Sequence, residues 1–413
     1  MAQPVETVIV GGGQAGLALA YELGRLGRER VVLEQASAAG NAWRTDRWDS
    51  FCLVTPNWSF QLPGAAYDES EPDRFMPRDE VVARLETYVD RYRLPVRYRT
   101  RVTSVASDAA GRGYRVEAED ERWHCDNVVI ATGLFQRPRI PAVAAQLSPG
   151  ILQLPSGRYR NPDSLPPGAV LVVGSAQSGC QIAEELYLSG RRVFLCVGRA
   201  GRVPRQYRGQ DITIWLRAIG FFARTVDQLP SPRDRFAPNP QVSGARGGRS
   251  LNLHQFAHDG VTLLGRLSDA QEQTLYFAPD LYDNLAATDA VEVDVLSRID
   301  RYIEQAGLDA PPETLLARRE GYDAEQIDRL DLHAAGVGAL IWATGYHFDY
   351  SLVRLPVTDG DGFPLQKRGV TAYPGLYFLG MPWMPSQASG LLMGVGEAAA
   401  HVAAHITARM TGA

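Results

Sequence analysis

Three glycines at positions 11, 13 and 16, in "VIVGGGQAG", have the spacing that brings a peptide backbone against a pyrophosphate. Gly11 permits a tight turn, Gly13 removes the side chain where a phosphate must approach, and Gly16 lets the following helix pack close to its strand. Gln14 and Ala15 complete the turn, and the helix starting there presents the positive end of its dipole to the anion. Glu34 closes the next apolar run, where a carboxylate accepts hydrogen bonds from a ribose diol, and Gln35 follows it. Together these residues specify the binding of an adenine dinucleotide.

A second set, "VVGSAQSG", repeats the pattern with one change. Gly174 and Gly179 occupy the outer glycine positions, Gln177 and Ser178 lie between them, and Ala176 replaces the middle glycine. The strand after this turn ends in Arg199 instead of an acid, with Arg202, Arg205 and Arg208 close behind. A cation at that point suits a 2′-phosphate, so NADPH is expected over NADH, held through Arg199 or Arg205. The Ala176 methyl stands where a pyrophosphate meets bare backbone, so the expected binding is weakened, not abolished.

These turns need strands and helices to hold them. "VETVIVGGGQAGLALAYELGRLGRERVVLEQ" reads as strand, turn, helix, strand, and "GAVLVVGSAQSGCQIAEELYLSGRRVFLCVGR" reads the same way. Aromatic residues gather between 41 and 80, a helix is expected over 79–93, and short strands over 96–105, 113–124 and 127–133. Prolines and glycines mark 137–168 as a linker. Residues 201–330 read as mostly helical, with a surface loop at 230–250. "ALIWATGY", "GLYFLG" and a small-residue helix after Ser389 read as the first domain resumed. The expected fold is α/β: two dinucleotide-binding (Rossmann-like) domains, the second inserted into the first. Residues 1–140 and 335–413 form one domain, and 145–332 the other with its helical insertion.

Composition narrows the function. A net charge of −5 argues against a sequence-independent grip on nucleic acid or anionic lipid. Lys367 is the sole lysine, which disfavours Schiff-base chemistry. No stretch is apolar enough for a membrane span and the start carries no basic leader, so a cytoplasmic protein is expected. Cys52, Cys125, Cys180 and Cys196 show no C-x-x-C spacing and read as free thiols, Cys180 in a helix, Cys196 in a strand and Cys52 in a loop.

The constellation resembles the class B flavin-dependent monooxygenases and the similar bacterial flavoproteins described as involved in potassium transport. The resemblance rests on "VIVGGGQAG" with Glu34, on "GNAWR" at 40–44, "ATG" at 131–133, the second glycine turn, "ATGY" at 343–346 and "GLYFLG" at 375–380. It implies FAD in the first domain, NADPH in the second, and molecular oxygen activated at the flavin between them. By position it assigns Gly11, Gly13, Gly16, Glu34, Trp43 and Arg44 to FAD, places Val102 near the adenine, and sets Gly380 near the ribityl and phosphate region. Asn57, in "TPN", becomes the catalytic candidate, placed to hydrogen-bond the oxygenated flavin or the nicotinamide. Thr132 and Gly133, with Thr344 and Gly345, belong to the two strand ends that join the domains.

Two departures fall on the coenzyme side. Gly150, Tyr159 and Arg160 match the family's monooxygenase fingerprint, but Ser148 stands for its phenylalanine and Pro155 for its histidine. Ala176 is the other departure. The resemblance implies NADPH- and oxygen-dependent oxygenation of a small organic substrate at nitrogen, sulfur or carbon. A second reading is an FAD-dependent oxidase or dehydrogenase reduced by its own substrate, and a third is a non-redox flavoprotein. Neither the substrate nor an oligomeric state is specified by these residues.

Overall fold

A computed structural model describes residues 3–108 and 113–412. The first strand–turn–helix–strand unit is β1 (Gln3–Val10), α1 (Gln14–Arg25) and β2 (Arg30–Leu33). It continues through α2 (Asn41–Thr45), α3 (Arg78–Tyr92), β3 (Val96–Arg97), β4 (Val102–Ser107), β5 (Tyr114–Ala118) and β6 (Arg122–Ile130). The sheet order is β3-β2-β1-β6-β5-β4. The β3, β2, β1 and β6 pairings are parallel, and β5 and β4 form an antiparallel flap. Val8 and Ile9 are fully buried. A parallel strand covered on both faces requires such an unbroken apolar run.

The second unit begins with β7 (Leu152–Pro155), inside the segment read as a linker, and repeats the motif as β8 (Ala169–Val173), α4 (Gln177–Leu188) and β9 (Val193–Cys196). Then come α5 (Ile212–Ala218), α6 (Leu253–His258), β10 (Thr262–Leu264), β11 (Leu267–Gln271), β12 (Thr274–Phe277), the long α7 (Leu281–Ala306), β13 (Arg329–Asp331) and β14 (Val337–Trp342). The β11-β12-β13 antiparallel sheet lies in a region expected to be mostly helical. The central sheet has the order β7-β14-β8-β9-β10, parallel throughout.

That order corrects one expectation. Val337–Trp342, the strand of "ALIWATGY", does not resume the first domain; it lies between β7 and β8 in the second sheet. Ala339, Leu340 and Ile341 are fully buried there, so the apolar run suits a central parallel strand of either sheet, and pairing with β8 decides which. The boundary placed at 335 therefore moves past Trp342. The chain returns through a short ladder pairing Tyr346–His347 with Arg137–Pro138. β15 (Leu376–Phe378), from "GLYFLG", does join the first sheet alongside β6, and α8 (Val395–Thr411) packs on α1. Ala398, Ala399 and Ala403 line the buried side of α8, and their small size permits the close approach. The result is two dinucleotide-binding domains, one inserted in the other. No helix among the described residues is long and apolar enough to cross a membrane.

A buried polar network fixes α7 to the rest of the second domain. His254 is wholly enclosed; its Nδ1 accepts from the Gly321 N–H at 3.0 Å, which leaves Nε2 to donate to Asp289 at 3.2 Å. Tyr322 donates its hydroxyl to the same carboxylate at 2.8 Å, and Arg202 pairs with Asp289 and Glu292. Burial opposes ionisation of Asp289, but the hydrogen bonds from His254 and Tyr322 and the Arg202 guanidinium outweigh it and hold the carboxyl down at about 2. An unfolded aspartate titrates near ~3.9. The folded value is the lower one, so this stabilisation is present above the unfolded value and is lost as pH falls toward the folded one. Asp289→Asn should lower stability at neutral pH by about 1–2 kcal/mol. It should also remove part of the acid-induced loss between about pH 4 and 2, read as thermal midpoint against pH; an unchanged acid limb contradicts the assignment.

Candidate functional site

The first glycine turn is shaped by contacts that forbid side chains at two positions and invite a ligand at a third. A Cβ on Gly16 would stand 2.0 Å from the Gly11 carbonyl oxygen, and Gly11 itself has φ +113 with the Ala131 carbonyl 2.4 Å from its missing Cβ. A Cβ on Gly13 would meet nothing within 4 Å. Gly13 caps α1 without a side-chain hydrogen bond, so the first-turn N–H groups at Gln14, Ala15 and Gly16 are left for an acceptor outside the helix. Glu34 is buried at the mouth of the turn, its carboxylate accepting from Gly12 N–H at 2.6 Å and Ala36 N–H at 2.8 Å. Each of its oxygens retains a further lone pair for a hydroxyl donor.

Distant parts of the chain close on this turn. Gly380 has φ +85, and its missing Cβ would lie 2.6 Å from the Ala15 Cβ. Gln14 donates its side-chain amide to the Gly390 carbonyl at 2.8 Å, so it positions the C-terminal segment. Val102 opens β4 and is half-buried, while Gln35 is exposed. Trp43 is half-buried and packs on Phe51 with centroids 6.0 Å apart; Arg44, also on α2, is exposed and paired with Glu86 at 2.7 Å. Thr132 accepts from Gln136 at 2.7 Å, and Gly133 turns the chain at φ +80. Asn57 is buried in a single helical turn, donating to the Glu71 carbonyl at 3.0 Å, and its Oδ1 has no donor among the described residues.

The second turn reproduces the first. A Cβ on Gly179 would stand 1.8 Å from the Gly174 carbonyl oxygen, and Gly174 has φ +106 with the Ala343 carbonyl 2.6 Å from its missing Cβ. Ala176 caps α4 at φ −78, ψ −170, nearly the φ −82, ψ −177 of Gly13. An alanine is unstrained in that conformation, so its methyl costs only space on the ligand side. Ser178 is half-buried in the first turn of α4. Gln177 is turned aside: its amide exchanges hydrogen bonds with both the N–H and the carbonyl of Val242. Gln241, fully buried, donates to the carbonyls of Ser175 and Ala200.

The arginines after β9 divide sharply. Arg199 is exposed and forms no ion pair among the described residues. Arg205, expected as an alternative phosphate ligand, is instead buried, pairing with Asp211 at 2.6 Å and donating to Thr213 at 2.9 Å and to the Val54 carbonyl at 2.8 Å. A guanidinium so enclosed cannot reorient toward a coenzyme without leaving Asp211 buried and unpaired. Arg202 and Arg208 are likewise committed, to Asp289 and Glu292 and to Asp300.

The inserted segment 205–244 covers the first domain as well as its own turn. A Cβ on Gly244 would lie 1.8 Å from the Leu53 carbonyl oxygen, and Arg217 stacks over Trp58 at 4.5 Å. The N–H groups of Gln387 and Ala388 donate to Arg224 and Phe222 carbonyls at 2.9 and 3.1 Å. Trp383, held at φ +63, donates its indole N–H to Arg235 O at 3.0 Å. Gln241, Arg235 and the Trp383 backbone carry no sequence signal for these roles. Pro155 ends β7, whereas Tyr159 is buried with its hydroxyl on Glu185 at 2.8 Å and Arg160 binds the Arg47, Gly157 and Tyr159 carbonyls. All four cysteines are free thiols; burial pushes Cys52, Cys180 and Cys196 up and lifts Cys125 to about 12.

Residues 8–219 match the family described as pyridine nucleotide-disulphide oxidoreductase. An uncharacterized CzcO-like oxidoreductase from Geobacillus kaustophilus is 30% identical over 400 residues, covering 96% of this chain and 97% of that one. Among solved structures, a flavin-containing monooxygenase from Stenotrophomonas maltophilia shares 22% identity with TM-score 0.67, covering 99% of both chains. A structure of OTEMO complexed with FAD and NADP shares 14% identity with TM-score 0.58, covering 100% of this chain and 87% of that one.

The contrast between glycine positions is testable. Gly16→Ala should destabilise the chain by about 1–3 kcal/mol or more through overpacking, because its neighbour is rigid backbone. Gly13→Ala should leave the thermal midpoint nearly unchanged yet weaken dinucleotide binding roughly 5–150-fold. Equal loss of stability in the two variants would refute the geometry.

Proposed function

The chain belongs to the pyridine nucleotide-disulphide oxidoreductase family, and from that premise we propose that it is an FAD-containing monooxygenase using NADPH and molecular oxygen on a small organic substrate. The observation that carries this reading is the asymmetry of two nearly identical turns: a buried carboxylate, Glu34, faces one, and an exposed cation with no ion pair among the described residues, Arg199, follows the other. A carboxylate suits a ribose diol and a cation suits a 2′-phosphate, so the first turn takes FAD and the second NADPH.

FAD fits the first turn because Gly13 leaves open space, the start of α1 is uncapped, and Glu34 keeps accepting capacity. Gly11, Gly13, Gly16 and Glu34 would hold it, with the Gly380 segment packed over Ala15. Bound there, FAD supplies hydride acceptance and oxygen activation. The chain supplies position. Backbone hydrogen bonds between 222–224 and 387–388, and the Arg217–Trp58 stack, hold the insertion over the first domain. Asn57 offers an unpaired Oδ1 to a proton donor of the bound group, while its Nδ2 stays fixed on Glu71.

Disulfide chemistry, named in the family's description, finds no support in these thiols. A nucleophilic cysteine needs a stabilised thiolate, and every cysteine here is shifted the other way by burial. The Ala176 methyl favours a second reading, an oxidase or dehydrogenase reduced directly by its substrate. The two separate in anaerobic flavin reduction. Ala176→Gly should tighten NADPH roughly 5–150-fold. Arg199→Ala should erase the preference for NADPH over NADH, a loss of about 1.5–3 kcal/mol for a charge-assisted contact. No reduction by NADPH in either the parent or the glycine variant would transfer the assignment to the oxidase reading.

A further inference from the structure

Residues 380–390 form a loop closed on itself beside the first glycine turn. A Cβ on Gly390 would lie 3.2 Å from the Gly380 carbonyl oxygen, so the two ends meet. Both ends stand on α1, Gly380 against Ala15 and Gly390 on the Gln14 amide. The far side of the loop is gripped by the insertion. Trp383 donates its indole N–H to the Arg235 carbonyl, and Gln387 donates its amide to Asn239 Oδ1 at 2.7 Å while accepting from Arg224 at 2.9 Å. Trp383 is buried at φ +63, a conformation that a bulky residue keeps only where its surroundings impose it. Those surroundings are Ser386 of its own loop, the Arg235 carbonyl, and the Arg224 guanidinium 5.8 Å from the Trp383 ring centroid.

Every residue of the gripping segment, 222–239, is at least partly exposed. It is therefore held down by polar ties instead of a core of its own, and segments with few buried contacts are the ones that open locally. Its ion-paired tie is Arg235, which reaches Asp359 at 2.5 Å and Asp361 at 3.4 Å, with its side chain 14% exposed and its guanidinium 4.6 Å from the Phe363 centroid. Asp359 is itself fixed, its Oδ1 accepting from the N–H groups of Asp361 and Phe363 at 2.9 Å. The segment thus crosses from the second domain to two parts of the first: the turn at 359–363 and the loop that stands on α1.

We propose that residues 222–239 are a lid on the FAD site, with the Arg235–Asp359 pair as its catch. Closed, the lid clamps the 380–390 loop onto α1; open, it frees that loop and lets FAD enter or leave. The inference rests on FAD occupying the first turn. The test follows FAD release from the loaded chain after dilution, read as flavin fluorescence in the filtrate, in the parent, Arg235→Met, Asp359→Asn and the double variant, at low and high salt. Arg235→Met should release FAD about tenfold faster than the parent, and Asp359→Asn somewhat less, because Asp361 remains. The double variant should be no faster than Arg235→Met alone, since both changes remove one interaction. Release from the parent should accelerate with salt, which screens a partly exposed ion pair, and that dependence should largely disappear in Arg235→Met. Trypsin nicking at Arg224 and Arg233 should rise in step with release. Faster nicking with unchanged release overturns the proposal, because the segment then opens without gating the site. Additive acceleration in the double variant overturns the catch. A parent chain that retains no FAD removes the FAD assignment and the lid with it, whereas bound FAD released at one rate by all four proteins removes the lid alone.

Discussion

The approach of a helix to the strand before it, closer than any side chain allows, is the constraint on which the rest of the molecule depends. At Gly16 and again at Gly179 the backbone of the first helical turn lies against the carbonyl of the first glycine, at distances where a Cβ has no room. That contact seats α1 and α4 with their uncapped ends at the carboxyl edges of β1 and β8. The Ala131 and Ala343 carbonyls, at the ends of β6 and β14, press on the first glycine of each turn from the neighbouring strand. Each anion site is therefore assembled from three backbone segments, with the side chains only selecting what enters. In the proposed reading Glu34 and Arg199 make that selection, Glu34 directly after the strand that follows the helix and Arg199 three residues past the end of its own.

Electrostatics after β9 follow from enclosure more than from sequence position. Four arginines occur between 199 and 208, and three are neutralised by carboxylates brought in from later elements: Asp211, Asp289, Glu292 and Asp300. Burying a guanidinium without such a partner is costly, so the insertion could fold over this region only by supplying acids for the arginines it covered. Arg199 lies outside the covered stretch and keeps its charge available. Arg47 is the contrasting case, half-enclosed with aromatic faces in place of an acid. Ring quadrupoles stabilise a cation in that setting by about 0.5–2 kcal/mol each, and they leave its hydrogen-bonding edge unspent.

Much of this was legible in the residues. Both strand–turn–helix–strand units, the turn geometry at Gly11, Gly16, Gly174 and Gly179, and the return of "GLYFLG" to the first sheet follow from glycine spacing and apolar runs. The strand at Val337–Trp342 was not assignable, because a run buried on both faces carries no mark of which sheet it will join; pairing with β8 is a long-range choice. The fate of Arg205 was equally hidden, since its partner Asp211 is separated from it by a tight β-turn whose formation no periodicity announces. The β11-β12-β13 sheet escaped because its strands are short and one of them lies beyond a 26-residue helix.

The least legible layer is the one that joins the domains. Arg160 to the Arg47 carbonyl and Trp383 to the Arg235 carbonyl across the domains, and Gln177 to Val242, Gln241 to Ser175 and Ala200, and Gln14 to Gly390 within them, are all side-chain bonds to backbone. A backbone partner has no residue identity, so such contacts leave nothing in the sequence to pair with. They also differ in kind from the apolar cores of the two sheets. A hydrogen bond to a backbone group contributes roughly 0.5–1.5 kcal/mol net but costs more when a buried partner is left unmade. The insertion is thus held over the second turn and against the first domain by individually modest, directional bonds. Geometry, not apolar mass, keeps it registered. Segment 241–244 touches the second turn through Gln241 and Val242 and the Leu53 carbonyl through Gly244, four residues before Asn57.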